Sequence, residues 1–417
     1  MATANNNKTL NVPNLRFPEF SGEWDRIKVS DLLELYPTNS LSWEQLDYSG
    51  EGIFNLHYGL IHKGLPTQVD VSENNLPTIK DEYIPKKMSL CQNGDVAFAD
   101  ASEDTNDVAK CIEFANCEDR KIVCGLHTIH GRDSINKTIV GFKGYAFAAP
   151  AFRQQIRRLA QGTKIYSVSS NNFAECYIGI PSKAEQTKIA ELLYKLDKRI
   201  ATQIKIIEDL KKLKSAISKH LFARKDLLET TICLSDIATL KNGYAFQSSK
   251  YNPLGKWKIL TIANVSGERN INDEDCNCII NLPSDIQNHQ VLKEGDILIS
   301  LTGNVGRVSL CKAGNYLLNQ RVGLLQFTNN ANREFIYQVL SSRRFENSMI
   351  ACGQGAAQMN IGKGDVEDYT IPYSANSLNL EVVASTLKTY DLLISVEVDR
   401  LRLFIQQKQY LLAQMFI

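Results

Sequence analysis

The sequence predicts an α/β protein built from two tandem α/β domains, each followed by one long helix. The two helices are expected to pair as an antiparallel coiled coil in a pseudo-twofold, circular arrangement. Three observations predict this fold class: two matching heptad segments, short motifs that recur once along the chain, and β-rich runs alternating with helical stretches. Antiparallel pairing follows because the second domain lies between the helices and returns the chain.

The two heptad segments lie 194 residues apart and carry the same 4-3 apolar spacing. Sustained 4-3 spacing is typical of a coiled coil, because it keeps one apolar stripe facing a partner helix. The predicted seam residues are Ile189, Leu193, Leu196, Ile200, Ile207, Leu210, Ile217 and Leu221, then Val383, Leu387, Tyr390, Ile394, Leu401, Phe404, Leu411 and Met415.

Polar residues interrupt both seams at matching positions, at Gln203 and Lys214 and then at Glu397 and Lys408. A polar residue in a seam either fixes register and partner or marks a place where the helices separate. The matching positions favour register. The sequence leaves open a Gln203–Lys408 contact and a Lys214–Glu397 contact.

The duplication extends beyond the helices. The motif starting at Ile27 (IKVSDLL) recurs at Ile232 (ICLSDIA), and Asn93-Gly-Asp-Val recurs as Glu294-Gly-Asp-Ile. Order survives while most side chains differ, as expected after tandem duplication of a scaffold whose working surfaces have diverged. The predicted organisation is an N-terminal tail at 1–11, domain 1 at 12–180, a helix at 181–225, domain 2 at 226–372 and a helix at 373–417.

Local patterns predict strands and helices within both domains. Runs of β-branched and apolar residues bounded by turn residues predict strands, and periodic stretches with capping signals predict helices. The predicted strands are 53–57, 95–99, 259–263, 296–300 and 323–327, and the predicted helices are 150–160 and 332–350.

Composition restricts the class of protein. The 417 residues are 43% hydrophobic and 22% charged, ordinary for a globular chain long enough for two or three domains. No run of eighteen apolar residues and no signal-peptide core occurs, so we expect a cytoplasmic protein without a membrane partner. The ten cysteines form no Cys-x-x-Cys pairs, so we expect reduced thiols and no metal.

The formal charge of +1 indicates no global preference for nucleic acid, but its distribution is uneven. Residues 183–225 contain 12 Lys or Arg and 5 Asp or Glu. Such a basic helix is either an ordinary solvated face or a segment that lies near phosphates.

Motifs for catalysis are missing. The chain has no Gly-x-x-x-x-Gly-Lys-Ser/Thr phosphate loop, no dinucleotide fingerprint and no Asn/Asp-Pro-Pro-Tyr/Phe motif of adenine methyltransferases. His127 and His130 lack a His-Glu-x-x-His context and are expected to be structural or surface residues. We therefore expect no enzyme, no catalytic residue and no cofactor in this chain.

Polar loops suited to reading bases are better represented. Asn and Gln can bond adenine at two points and Arg can bond guanine, although the same residues also serve as turns that cap strands. The predicted DNA-binding residues of domain 2 are Asn304, Arg307, Asn319, Gln320, Arg321, Gln354, Gln358 and Asn360. Those of domain 1 are Lys164, Tyr166, Ser169, Asn171 and His127.

Four segments together carry a family resemblance. They are Val12 to Trp24 (VPNLRFPEFSGEW), Pro181 to Ala190 (PSKAEQTKIA, matching Pro-x-x-x-Glu-Gln-x-x-Ile-Ala), Leu318-Asn-Gln-Arg and Gly355 to Ile361 (GAAQMNI). In this order, and with the duplication, the chain resembles the DNA-specificity subunit of Type I restriction–modification enzymes over essentially its full length.

The resemblance implies a non-catalytic subunit. Each domain would be a target recognition domain that reads one half of a bipartite, asymmetric site in double-stranded DNA. The helices would fix the spacer and dock two modification (methyltransferase) subunits that carry S-adenosylmethionine, and restriction (endonuclease and translocase) subunits would join them.

The second helix departs from the family pattern, with Asn379-Leu380 where the first has Glu185-Gln186. We expect this difference to weaken one of two otherwise equivalent docking surfaces. Two other interpretations remain at this point. One is a coiled-coil scaffold with two protein-binding domains and no DNA role, and the other is an unusual nuclease or methyltransferase.

Overall fold

The computed structural model describes residues 11–73, 75–117, 119–328, 331–353 and 359–417. The chain forms two compact units: unit 1 is Met1–Ile204 with Arg400–Ile417, and unit 2 is Lys205–Asp399. The heptad prediction of two long helices is confirmed. Among the described residues, no helix is long and apolar enough to cross a membrane.

Unit 1 is a mixed α/β body. Its strands are β1 (Asp25–Lys28), β2 (Glu34–Tyr36), β3 (Leu46–Asp47), β4 (Ile53–Leu56), β5 (Gln68–Asp70), β6 (Thr78–Ile79), β7 (Val96–Ala99), β8 (Ala101–Ser102), β9 (Cys111–Ala115), β10 (Lys121–Cys124), β11 (Thr128–Arg132), β12 (Tyr166–Ser167) and β13 (Tyr177–Ile180). Its helices are α1 (Val29–Leu32), α2 (Tyr58–His62), α3 (Lys143–Ala148), α4 (Pro150–Leu159), α5 (Ser170–Ala174) and the first part of α6 (Lys183–Ala223).

Two sheets form the centre of unit 1, with strand orders β2-β11-β7-β9-β5 and β10-β4-β6-β3. Strand β7 is apolar throughout because both of its faces are covered. Phe98 packs on one face against Phe147 and Phe173, while Ala97 and Ala99 join a separate core cluster on the other. This alternation follows from the two-residue period of a strand.

Unit 2 repeats this plan. Its strands are β14 (Thr230–Cys233), β15 (Ala238–Asn242), β16 (Trp257–Leu260), β17 (Asn277–Ile279), β18 (Val291–Leu292), β19 (Ile297–Ser300), β20 (Val308–Leu310), β21 (Tyr316–Leu318), β22 (Val322–Phe327) and β23 (Thr370–Tyr373). Its helices are the rest of α6, α7 (Arg333–Leu340), α8 (Arg343–Cys352), α9 (Lys363–Glu367) and most of α10 (Ser377–Gln414).

The sheet topology shows the duplication directly. The order β15-β22-β19-β20 of unit 2 matches β2-β11-β7-β9 of unit 1. Strand β16 pairs in parallel with β21 as β4 does with β10. The antiparallel pair of β14 and β23 corresponds to that of β1 and β13. The repeated sequence motifs therefore mark a repeated scaffold.

The helical stretch predicted at 332–350 is divided into two helices in the structure, α7 and α8. The break follows from a local cap. Ser342 has an extended backbone, and its hydroxyl accepts a hydrogen bond from the Phe345 N–H at 3.4 Å, which starts a new helix.

Within each unit, opposite ends of the two long helices pack together. In unit 1, Leu193 of α6 shares a core with Leu411 and Met415 of α10. In unit 2, Leu221 of α6 packs on the core that contains Val383 of α10. The start of one helix thus meets the end of the other, so the pairing is antiparallel. None of the sixteen seam residues is exposed.

Two lysine–aspartate pairs cross between the helices at repeat-related positions. Lys214 donates to Asp391 at 2.5 Å within unit 2, and Lys408 pairs with Asp197 at 2.6 Å within unit 1. The same offset of 194 residues relates the two lysines and the two aspartates. These aspartates were not singled out from the sequence. They are the acidic partners of the two lysines that interrupt the apolar seams.

The expected effect of Glu185-Gln186 on partner docking stays a prediction, and the structure places both side chains in the interior of unit 1. Glu185 accepts two hydrogen bonds from Arg16, both at 2.7 Å, and Gln186 accepts one from the Ile139 N–H at 2.9 Å. In unit 2, Leu380 is buried in the core. The difference therefore changes internal packing, and Asn379 is half-buried where Glu185 is buried.

Candidate nucleic-acid interface

An open, polar cleft of about 630 Å³ lies at one edge of the main sheet of unit 2. This surface, called cleft 2, is formed where β15 and β19 end and where β22 and α9 begin. It is lined by Asn242, Leu301, Thr302, Gln320, Arg321, Asn360, Ile361, Gly362 and Lys363. Three of the predicted residues, Gln320, Arg321 and Asn360, therefore lie together in cleft 2.

Backbone hydrogen bonds hold the walls of cleft 2 in place. Ile361 donates to the Leu301 carbonyl at 2.9 Å, and Leu301 donates to the Arg321 carbonyl at 3.0 Å. The Thr302 hydroxyl donates to Oδ1 of Asn360 at 3.0 Å, which leaves the Asn360 amide NH₂ facing outward as a donor group. The backbone segments that carry the polar side chains of cleft 2 are therefore held in fixed positions relative to one another.

The free charges in cleft 2 are positive. Arg321 is exposed, and no residue in the described ranges forms an ion pair with it. The exposed Lys363 ammonium lies 3.6 Å from the half-buried Glu367 carboxylate, within α9. An exposed guanidinium beside amide side chains provides the donors that bind guanine edges, phosphates or both.

A second cleft, of about 440 Å³, lies in unit 1. This surface, called cleft 1, is lined by Asp100, Ala101, His127, Leu159, Gln161, Ile165, Ser167, Val168, Ser169 and Asn172. It lies where β7 ends and β11 begins, the edge that corresponds in unit 2 to the end of β19 and the beginning of β22. The Ala101–Ser167 pairing in cleft 1 takes the place of the Thr302–Asn360 bridge in cleft 2.

Cleft 1 has different chemistry. The exposed His127 ring lies 3.2 Å from Asp100. By strand register, His127 occupies the position of Arg321 in cleft 2, and Asp100 occupies that of Leu301. A carboxylate accepts hydrogen bonds and suits the cytosine amino group. The Ser169 hydroxyl accepts from the Asn172 N–H at 3.2 Å and so caps α5. The two clefts share a scaffold and differ in what they can bind.

The other predicted residues of domain 1 lie near cleft 1 but do not line it. Lys164 and Asn171 are exposed, and Tyr166 is half-buried against the core. Gly162 allows the tight turn that leads into this segment, since its φ is +147° and a Cβ there would lie 1.9 Å from the Ile165 carbonyl oxygen.

The remaining predictions for domain 2 are mixed. Arg307 forms an ion pair with Glu346 at 3.7 Å, which partly neutralises its charge. Asn304 is exposed on the turn after β19. Asn319 is half-buried, and its Oδ1 accepts from the Arg321 N–H at 3.4 Å, so it shapes the turn that presents Arg321. Gln354 and Gln358 lie outside the described residues.

Sequence reasoning missed most of the residues that line the clefts, among them the polar residues Asn242, Lys363 and Asp100. Asn242 reaches cleft 2 because β15 pairs with β22, where Asn242 lies opposite Gly323. The sequence could have indicated Lys363, because it lies two residues after the end of the segment from Gly355 to Ile361. The sequence could also have indicated Asp100, because it directly follows the predicted strand 95–99 and residues at strand ends lie at the edge of a sheet.

Comparisons with known proteins agree with this architecture. The model of the Type I restriction modification DNA specificity domain family matches residues 23–212 and 229–401. The Type I restriction enzyme MjaVIII specificity subunit of Methanocaldococcus jannaschii is 28% identical over 266 residues, which are 58% of this chain and 61% of that protein. The chain thus spans about three fifths of the length of this curated relative.

Solved structures share the fold. The S subunit of a Type I restriction–modification system from M. genitalium has a TM-score of 0.55 at 15% identity, over 97% of this chain and 99% of that one. A chain from a study of complex assembly and conformational transition of the type I R-M system has a TM-score of 0.53 at 16% identity, over 93% of this chain and 96% of that one. At these identities the likeness shows the fold alone.

Proposed function

The chain belongs to the Type I restriction modification DNA specificity family, and we propose that it is the subunit through which a Type I complex recognises its DNA site. Unit 1 reads one half of a bipartite, asymmetric site and unit 2 reads the other half. The chain itself catalyses no reaction and carries no cofactor. Modification subunits supply S-adenosylmethionine and methylate adenine, and restriction subunits cleave DNA that lacks the methyl groups.

The observation that carries this proposal is the pair of clefts. They occupy the same edge of two equivalent sheets, but one presents His127 and Asp100 while the other presents Arg321 and Gln320. Base edges in the major groove are distinguished by their donor and acceptor patterns. Two equivalent positions with different donors and acceptors are what reading two unlike half-sites requires.

The outer faces of the long helices support the docking of modification subunits. Large apolar side chains on these faces are exposed, and adjacent exposed apolar residues on a soluble protein indicate a partner surface. Those on unit 1 are Leu192, Tyr194, Ile204, Leu403, Ile405 and Tyr410, and those on unit 2 are Ile206, Leu213, Leu378, Val382, Leu392, Leu393 and Val396. We assign one modification subunit to each of these two sets.

Exchange of one domain tests the division of labour. Residues 29–176, between β1 and β13, are replaced by the corresponding segment of another family member, so that both strands of the antiparallel entry pair remain. We expect one half of the methylated motif to change while the other half and the spacer persist. Sequencing of methylated adenines in cells that express the chain with its modification subunit measures this.

The matched control exchanges residues 234–369, between β14 and β23, and should change the opposite half only. A change of both halves by either exchange would contradict separate reading. Absence of any sequence-specific methylation by the unaltered complex would favour the scaffold interpretation.

Lengthening both helices together tests the spacer. Four residues, about one helical turn, are inserted after Ile204 and after Asp399, the boundaries between the units. The Lys214–Asp391 and Lys408–Asp197 pairs each lie on one side of these points and are retained. We expect a longer unread spacer with both half-sites unchanged, and an unchanged spacer would show that the helices do not set it.

A further inference from the structure

Three potential metal ligands meet in the interior of unit 1. Ligand atoms of Cys91, Cys124 and His130 all lie within 4.8 Å of one another, and all three residues are buried. The two sulfur atoms are 3.6 Å apart. The backbone brings them together, since the Cys91 N–H donates to the Ile122 carbonyl at 2.8 Å and Leu90 bridges to Val123.

The two ring nitrogens of His130 have different surroundings. Its Nε2 lies 2.7 Å from a carboxylate oxygen of Asp95, while Nδ1 is buried without a hydrogen-bond partner among the described residues. A buried nitrogen without a partner costs free energy and is rare. Histidines that bind metals characteristically place their other ring nitrogen on a carboxylate. Arg132 in turn donates to Asp95 at 2.8 and 2.7 Å, which holds this carboxylate in place.

The donor set suits a thiophilic cation. Zinc binds thiolate sulfur at about 2.3 Å in tetrahedral geometry, which separates two sulfurs by roughly 3.8 Å. The observed separation of 3.6 Å is close to that value. Burial raises the pKa of the Cys91 thiol, and a divalent cation stabilises the thiolate that burial alone disfavours.

We propose that Cys91, Cys124 and His130 bind a zinc ion in the interior of unit 1, with release of the two thiol protons. The site has a structural role. Cys124 ends β10 and His130 lies in β11, so the ion fixes both ends of the turn that presents His127 to cleft 1. Binding of the ion does not depend on the proposed DNA recognition. Only the purpose of fixing this turn, which is to present His127, rests on the proposed function.

Metal content of the purified full-length chain tests the site. The chain is prepared without a histidine tag in reducing buffer, and zinc is measured by inductively coupled plasma mass spectrometry after equilibration with zinc alone and gel filtration. We expect one zinc per chain. Cys91→Ser, Cys124→Ser and His130→Asn should each lower the bound zinc at least tenfold. Cys176→Ser, which removes a buried thiol from the other core of unit 1, should leave it unchanged.

Cobalt provides a readout that does not require the variants to fold. The unaltered chain loaded with Co²⁺ should show thiolate-to-cobalt charge transfer in the near ultraviolet and visible bands of tetrahedral cobalt. Zinc at well below one equivalent in the folded chain would overturn the proposal. So would an octahedral cobalt spectrum, or a Cys91–Cys124 disulfide found by peptide mapping of protein kept in reducing buffer.

Discussion

Replacing Asp391 with alanine is expected to lower the free energy of unfolding by about 3–5 kcal/mol, because it leaves the largely buried ammonium of Lys214 without its acidic partner. The Asp391 side chain is 8% exposed and pairs with Lys214 at 2.5 Å and with Arg269 at 3.0 Å. It also accepts from Gln338 at 2.7 Å. The loss combines removal of these three contacts with the uncompensated desolvation of Lys214. Arg269 keeps its ion pair with Glu334.

Denaturant unfolding followed by a fluorophore confined to unit 2 measures this effect. With Trp24 and Trp43 replaced by phenylalanine, Trp257 of unit 2 is the only tryptophan that remains. Asp209→Ala is the matched control on α6, since its pair with Lys212 is exposed and should contribute less than about 0.5 kcal/mol. A loss below about 1 kcal/mol in Asp391→Ala would show that solvent screens the pair.

A double replacement distinguishes the cost of an unpaired buried charge from the net contribution of the Lys214–Asp391 pair to stability. Lys214→Met with Asp391→Leu removes one cation and its anion together and should recover part of the loss, because apolar replacements of a buried pair are often neutral or stabilising. Asp197→Ala in unit 1 should cost less than Asp391→Ala, since Asp197 and Lys408 are 16% and 20% exposed and are better solvated. Equal costs would contradict the role assigned to burial.

The long helices and the duplication were predictable from sequence because their signals are local. Heptad spacing is set by which side chains are buried along one helix, and the repeated motifs lie in short segments. The partners of Lys214 and Lys408 required the tertiary structure. Even so, Asp197 and Asp391 each directly follow a seam residue and are 194 residues apart, as are the two lysines. This repeated charge pattern could have indicated the two pairs from sequence.

The clefts were predictable only in part, for a physical reason. Loop composition identifies Arg321 and His127, because exposed polar residues after apolar runs mark strand ends. It does not identify Asn242, which reaches cleft 2 through strand pairing with a segment about eighty residues away. The metal-binding cluster is similar, since Cys91 and Cys124 are far apart in sequence and meet because a backbone bridge joins their segments.

Replacing Gln320 and Arg321 together with alanine is expected to abolish most recognition of one half-site. Each two-point contact of such side chains with a base contributes about 1–3 kcal/mol of discrimination, so the double variant should lose roughly two orders of magnitude in specific binding. Both side chains are exposed, so stability should change by less than about 0.5 kcal/mol. Binding of the assembled complex to its own site, measured by fluorescence anisotropy, gives the loss.

Salt dependence then distinguishes base reading from phosphate binding at Arg321. If Arg321 contacts a base, Arg321→Ala should relax discrimination at one position of the unit 2 half-site while the salt slope stays the same. If it contacts a phosphate, binding should weaken uniformly across sequences and the slope should fall by about 1. Arg333→Ala is the control, an exposed arginine of unit 2 outside cleft 2 that stacks on Phe327. Unchanged affinity and unchanged specificity in Arg321→Ala would exclude cleft 2 as the reading surface, because its one exposed guanidinium would then lie away from the DNA.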